Sequence, residues 1–396
     1  MSKITFSTVS SILIILFICL SVYGKQQKYK PSEARTVKTI NTDWTFNYFP
    51  SGKENLAPKE IDFNDSTWTA IALPHTWMTY ETTGDLHPYI KNASERDDPY
   101  WWNGWGWYRK RFILSNKLNS MKIFLEFDGV QKYCKIYVNG VLLGDHKGGY
   151  TSFCFDITPH VKFNTENVLC VQVSNRRDDK FGGIPPMTAG NFNVYGGIYR
   201  DVRLVVKDRL HIPYQGSYKH EGGTFITTPE VDSARGVVHV KTFVRNDSPE
   251  PKKCVLKTII VDSAMNVVKI LQSTAKIKPN TMHEFNQTSE PIENPNLWSP
   301  ESPYLYRVYS EVWDDDKIVD CYSSPLGFRW FRWDYEENRL YVNGEKIHIH
   351  GTNRHQEYPW LGDALLKWIT EMDMRDIRYD LGHNFMRTAH YPHDSY

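Results

Sequence analysis

Between Thr36 and Lys207 the chain is built almost wholly of short alternating runs punctuated by glycine and asparagine, a pattern that rules out a helical fold for this half. In Lys122-Ile123-Phe124-Leu125-Glu126-Phe127, side chains on an extended strand alternate sides, so Ile123, Leu125 and Phe127 share one face. Lys135 to Gly144 reads as a strand, a tight turn and a second strand, because Asn139 and Gly140 tolerate the positive φ that a two-residue hairpin demands. No helical period competes, and the pattern predicts a jelly-roll β-sandwich over residues 30–207.

A second β segment follows, with Val238, Val240, Thr242 and Val244 on one side of a strand and Val255 to Val261 forming another. Its length suits one immunoglobulin-like sandwich over residues 208–328, with the Pro- and Asn-rich stretch Pro291 to Pro303 as a loop. After Arg332 the texture changes again. Tyr341 to Gly351 repeats the Asn-Gly hairpin signal and places a strand ending near His350. Met374, Ile377 and Leu381 then recur at helical spacing before Gly382, a natural residue just past a helix end. Asn384 to Thr388 reads as a short buried strand. Strand, helix and strand make one right-handed unit with parallel strands, the start of a (β/α)8 barrel over residues 329–396. A whole barrel needs about 250 residues, so the expectation is an incomplete (β/α)8 TIM barrel that breaks off early.

The 396 residues carry 47 basic and 46 acidic side chains, and a net charge of +1 offers no field for nucleic acid or an anionic membrane surface. Hydrophobic residues at 40% exclude a disordered chain. Lys3 followed by the apolar run Ile12 to Leu20, with Gly24 as a cleavage position, has the form of a secretory signal over residues 1–24. That run is short for a bilayer span, and Cys19 follows Ile18 where a lipid-attachment site would want a small residue. The chain is therefore expected to be exported, to a periplasm or cell surface if the host is a Gram-negative bacterium. The cysteines beyond it, Cys134, Cys154, Cys170, Cys254 and Cys321, lack the paired spacing of a zinc site and read as buried core residues, with one bridge among the first three left open.

In parallel barrels ligands sit at the C-terminal ends of strands. Two clusters take that place here: Gly351-Thr352-Asn353-Arg354-His355-Gln356-Glu357 and Arg387-Thr388-Ala389-His390-Tyr391-Pro392-His393. Adjacent parallel strands lie about 4.8 Å apart, so His355 and His390 can face one polar cavity. The aromatic run Tyr100 to Tyr108 suits either a carbohydrate platform, with Trp102 or Trp105 at its lip, or packing in the sandwich, which is the commoner fate of such rings. His348 and His350 alternate along a strand without a third metal ligand, so no metal site and no cofactor is evident, although a bound cation stays open.

Asn384 to Pro392 resembles the opening of the signature of glycoside hydrolase family 2, Gly351 to His355 resembles that family's first barrel strand, and Tyr195-Gly196-Gly197-Ile198-Tyr199-Arg200-Asp201 resembles a segment of its sugar-binding sandwich. The three occur in family order. His355-Gln356-Glu357-Tyr358-Pro359 is most similar to the β-galactosidases, which are retaining and exo-acting on terminal β-D-galactosides. The resemblance implies a carbohydrate substrate, with His355 and His390 bonding sugar hydroxyls, Asn353 and Arg354 shaping the pocket, and Arg387 holding the nucleophile ionised. Asn191 would stand near the place from which the sandwich usually delivers an acidic residue.

Retaining hydrolysis needs two carboxyl groups about 5.5 Å apart. In the family both glutamates lie on later barrel strands, beyond residue 396, so no catalytic residue is assigned within this chain and the chain alone is expected to be inactive. Glu357, Asp363 and Asp394 are the stand-ins to weigh, and Glu357 reads as a solvated loop acid with no partner carboxylate. A β-glucuronidase of the same family and a secreted carbohydrate-binding protein without catalysis are the alternatives, and a homo-oligomer stays open.

Overall fold

A computed structural model describes residues 28–49, 55–77, 104–176, 195–216, 222–358 and 361–394. The leader segment, Asn191, Trp101 and Trp102 lie outside these residues.

The first unit is a sandwich of two antiparallel sheets. One has six strands in the order Thr69–Ile71, Trp44–Phe49, Trp105–Ile113, Glu166–Ser174, Tyr133–Val138 and Val141–Lys147. The other has four, Thr36–Thr39, Val202–Lys207, Lys122–Phe127 and Phe153–Asp156. The alternation read in Lys122–Phe127 is realised, since Ile123, Leu125 and Phe127 are fully buried in a core shared with Phe46, Ile136 and Val171. The hairpin turn holds Asn139 at φ 51° and Gly140 at φ 81°, the left-handed pair such a turn requires. Trp105, Trp107 and Tyr108 are buried in the sandwich, so this part of the aromatic run packs rather than forming an open platform.

The second unit is immunoglobulin-like. One sheet is organised around Arg235–Asn246 and the other runs Val267–Ile277, Lys252–Val261, Tyr306–Asp314 and Lys317–Leu326. Val238, Val240 and Val244 are fully buried between them. Arg35 fastens the first unit to the second: its guanidinium lies 2.7 Å from the buried Asp320 carboxylate, which also accepts the Ile212 amide at 2.7 Å. All five cysteines from Cys134 to Cys321 are free thiols. No described helix is long and apolar enough to cross a membrane.

The third unit opens with an antiparallel sheet, Phe331–Asp334, Arg339–Val342 and Glu345–Ile347, turned at Asn343 and Gly344, both at positive φ. Strand Gly351–Arg354 then pairs in parallel with Phe385–Thr388, and helix α1, Lys367–Arg375, lies between them in sequence. The helix ends in a wider turn, Asp376–Asp380, before Gly382 at φ 64°. This corrects the expected strand ending near His350. The hairpin arm stops at Ile347, and the Asn384 side chain caps the bend by donating to the His348 carbonyl at 2.8 Å and accepting the His350 amide at 2.9 Å. Asn353 and Arg354 accordingly lie within the first barrel strand, and the loop begins at His355.

Candidate functional site

The parallel register aligns Asn353 with Arg387 and Arg354 with Thr388, so the two strands end side by side. His355 and His390 leave these ends with ring centroids 5.6 Å apart at 88°, which brings together the pair expected to share a cavity. Asn353 and Arg387 are exposed on the same strands, with Arg387 Nη1 3.5 Å from Asn353 Oδ1. Arg387 thus presents an exposed cation on the second strand, with no carboxylate partner among the described residues.

Arg354 does something else. Its side chain is buried and donates to Asp373 of α1 through Nε at 2.8 Å and Nη2 at 2.6 Å. It is tied down as an internal ion pair joining strand to helix, a support for the pocket in place of a wall of it. Its Nη1 lies 3.3 Å from His393 Nδ1. Burial, followed by the charges of Arg354 and Arg200, lowers the His393 pKa to about 4, so the ring is neutral at pH 7. Its buried Nε2 has no hydrogen-bond partner among the described residues. His393, the last residue of the second loop cluster, thus packs against Arg354 with its Nε2 enclosed and supports the loop from within.

The sandwich holds these loops in place. Arg200, 4% exposed, donates through Nη2 to Gln356 Oε1 at 3.0 Å and to the Pro392 carbonyl at 2.7 Å, one partner in each barrel loop. Gln356 Oε1 also accepts the Asp394 amide at 3.1 Å, and the Gln356 amide donates to the Tyr391 hydroxyl at 2.8 Å. Tyr391 stacks on Tyr150 of the sandwich at 4.3 Å. The Tyr195–Asp201 segment reaches this seam because Gly196 and Gly197 let it pass tightly. A Cβ on Gly196 would lie 1.9 Å from the Trp77 ring, and Gly197 adopts φ 143°.

Beneath the loops lies Asp363, 1% exposed, with neither carboxylate oxygen hydrogen-bonded among the described residues. Burial and then the charge of Glu357 push its pKa well above the usual carboxylate range, against the pull of Arg200. Glu357 is half-buried and electrostatically coupled to Asp363, which corrects its reading as an isolated solvated acid. The pair still makes a poor hydrolytic couple, since Asp363 is sealed from any leaving oxygen. Among the described residues no group of three or more metal-ligating side chains occurs.

Comparison with known proteins decides the family. The model of the glycosyl hydrolases family 2 sugar binding domain matches residues 37–208, that of glycosyl hydrolases family 2 matches 223–329, and that of the family 2 TIM barrel domain matches 334–396. The chain belongs to glycosyl hydrolases family 2. A β-glucuronidase of Formosa agariphila is 33% identical over 91% of this chain and 36% of its own length. A β-galactosidase of Thermoanaerobacter pseudethanolicus is 30% identical over 90% of this chain and 44% of its own. The crystal structure of Bacteroides uniformis β-glucuronidase superposes with a TM-score of 0.79 at 33% identity, covering 91% of this chain and 40% of that one. The family 2 chain described here thus spans less than half the length of these relatives. Its sugar-binding sandwich, immunoglobulin-like domain and barrel segment are those of a glycosidase family.

Proposed function

We propose that this chain supplies the sugar-gripping part of a retaining, exo-acting β-galactosidase, and that it does not hydrolyse glycosides by itself. The observation that carries the reading is the pairing of His355 and His390 at the ends of adjacent parallel strands, with Arg387 exposed on the second of those strands. Imidazole nitrogens and a guanidinium placed together can bond the hydroxyls of a pyranose, while the buried and sealed Asp363 cannot serve as the general acid that cleavage requires. The β-galactosidase of T. pseudethanolicus supports the choice of sugar. A β-glucuronidase is the second reading, favoured by the F. agariphila relative at 33% identity. The leader-like run Ile12 to Leu20 supports export to the periplasm or cell surface.

The test uses the chain itself with 4-nitrophenyl β-D-galactoside and 4-nitrophenyl β-D-glucuronide. Neither should be turned over above the uncatalysed rate, while galactose should bind and lose affinity by roughly tenfold in His390→Ala. Turnover of either glycoside at an enzyme's pace would overthrow the non-catalytic part of the proposal. Tighter binding of glucuronate than of galactose would replace the first sugar with the second.

A further inference from the structure

A cavity lies at the seam between the sandwich and the barrel segment, and neither His355, His390 nor Arg387 lines it. Its volume is about 520 Å³, large enough for a mono- or disaccharide. Asn41 and Asp201 reach it from the sandwich, and Lys367, Trp368, Glu371 and Asp394 from the barrel segment.

Its polar floor is held rigid by the fold. Asn41 accepts the Val202 amide through Oδ1 at 3.1 Å and donates through Nδ2 to Asp201 Oδ1 at 2.8 Å. The other oxygen of Asp201 lies 2.8 Å from Lys367 Nζ. Burial alone would raise the pKa of Asp201, but the bonds from Lys367 and Asn41 outweigh it and keep the group ionised. Above this floor stands Trp368, at the start of α1 and 59% exposed. The other large exposed apolar residue on the cavity wall is Leu366, immediately before the helix.

The composition of the lining selects a ligand. An exposed indole offers a flat apolar face that packs against the C–H face of a pyranose, and the Asp201 carboxylate, held by Asn41 and Lys367, keeps lone pairs for the sugar's hydroxyls. Three carboxylates on the wall turn away an anion such as a uronate or phosphate. A neutral polyhydroxyl compound avoids that penalty and can meet the indole through its C–H face and the carboxylates through its hydroxyls.

We propose that this groove is a second carbohydrate-binding site, taking a neutral glycan outside the pocket of His355 and His390. The inference does not depend on the function of that pocket, with which it shares no lining histidine.

The test is nuclear magnetic resonance of the 15N-labelled full chain. Trp368→Phe identifies the indole N–H cross-peak of Trp368 by its disappearance. Lactose, added to about 30 mM, is expected to move that peak saturably in the wild type and equally in His390→Ala and His355→Ala. Methyl β-D-glucuronide over the same range is expected to move it by less than roughly a tenth as much. A peak that stays still with lactose overturns the proposal. So does a peak that moves equally with the glucuronide, because neutral selectivity is then absent. Movement abolished in both histidine variants, with circular dichroism unchanged, assigns the binding to the first pocket and also overturns it.

Discussion

The sandwich and the barrel segment are both organised on β-strands, yet they bury their residues in different ways. In the sandwich, Phe46, Ile123, Leu125, Phe127 and Val171 close a core within one unit. In the barrel segment, Phe385 is 49% exposed, Phe331 58% and Leu381 59%, while the most buried side chains include polar ones such as Arg354, Gln356 and Asp363. The first unit is held by apolar packing between its own sheets, and the second by hydrogen bonds, ion pairs and ring stacking, many of them to the sandwich. The comparison teaches that the loops of His355 and His390 take their geometry from a neighbour whose sequence lies some way upstream.

Substitutions can break this contrast in order of size. Phe127→Ala should cost about 4 kcal/mol, because it empties a site fully enclosed by the sandwich core, and urea unfolding followed by far-ultraviolet circular dichroism measures it. A loss comparable to that of a surface site would show that the core is not as closed as its burial implies. Arg200→Ala should cost about 2 kcal/mol by removing charged donors from Gln356 and Pro392. Its mark is faster proteolytic cleavage in residues 355–394 while the sandwich stays resistant. If cleavage accelerated equally in both units, the dependence of one on the other would be the wrong description.

Asp363→Asn acts in the opposite direction and more weakly. The folded chain raises the pKa of Asp363 above its ordinary 3.8, so the protonated form suits the fold. Stability from this group is fully present below about pH 4 and is lost as pH rises toward the folded value. The variant, neutral throughout, should therefore melt higher than the wild type near pH 8, with the gap closing near pH 4. A gap that widened on acidification would mean that the carboxylate is ionised and paired. Phe385→Ala should change stability by less than about 1 kcal/mol, since half of that ring already faces solvent. A cost near that of Phe127→Ala would erase the distinction between the units.

Where the local rules of the chain decide a structure, the sequence was enough to see it. Asn139-Gly140 and Asn343-Gly344 specify their turns because few other residue pairs adopt two positive φ values, and the alternation of Lys122–Phe127 can put only one face inward. The juxtaposition of His355 and His390 was legible because a strand, a helix and a parallel strand constrain where their ends lie. The start of the first barrel strand was not. Alternation continues through Ile347 and Ile349, and the bend that interrupts it is imposed by Asn384, far along the chain. Arg200, Gln356, Asp363 and His393 all stood in segments or candidates the sequence singled out, but their roles escaped for a related reason. Each is a polar residue whose role is set by partners from another loop or another domain, and no periodicity records such a partner. The Tyr195–Asp201 segment did carry a signal, since paired glycines before Arg200 mark a close approach of backbone to neighbouring rings.

The Arg200 guanidinium bears on how such proteins can be recombined. It fixes Gln356 of one loop and Pro392 of the other at once, so the two loops cannot be inherited separately from the domain that braces them. A chimera that joins this barrel segment to a foreign sandwich keeps the two loops in place only if it carries a matching donor at the position of Arg200. In this chain Arg200 shares the seam with the Tyr150–Tyr391 stack and the Lys367–Asp201 ion pair, so exchanging the sandwich puts three ties at stake together.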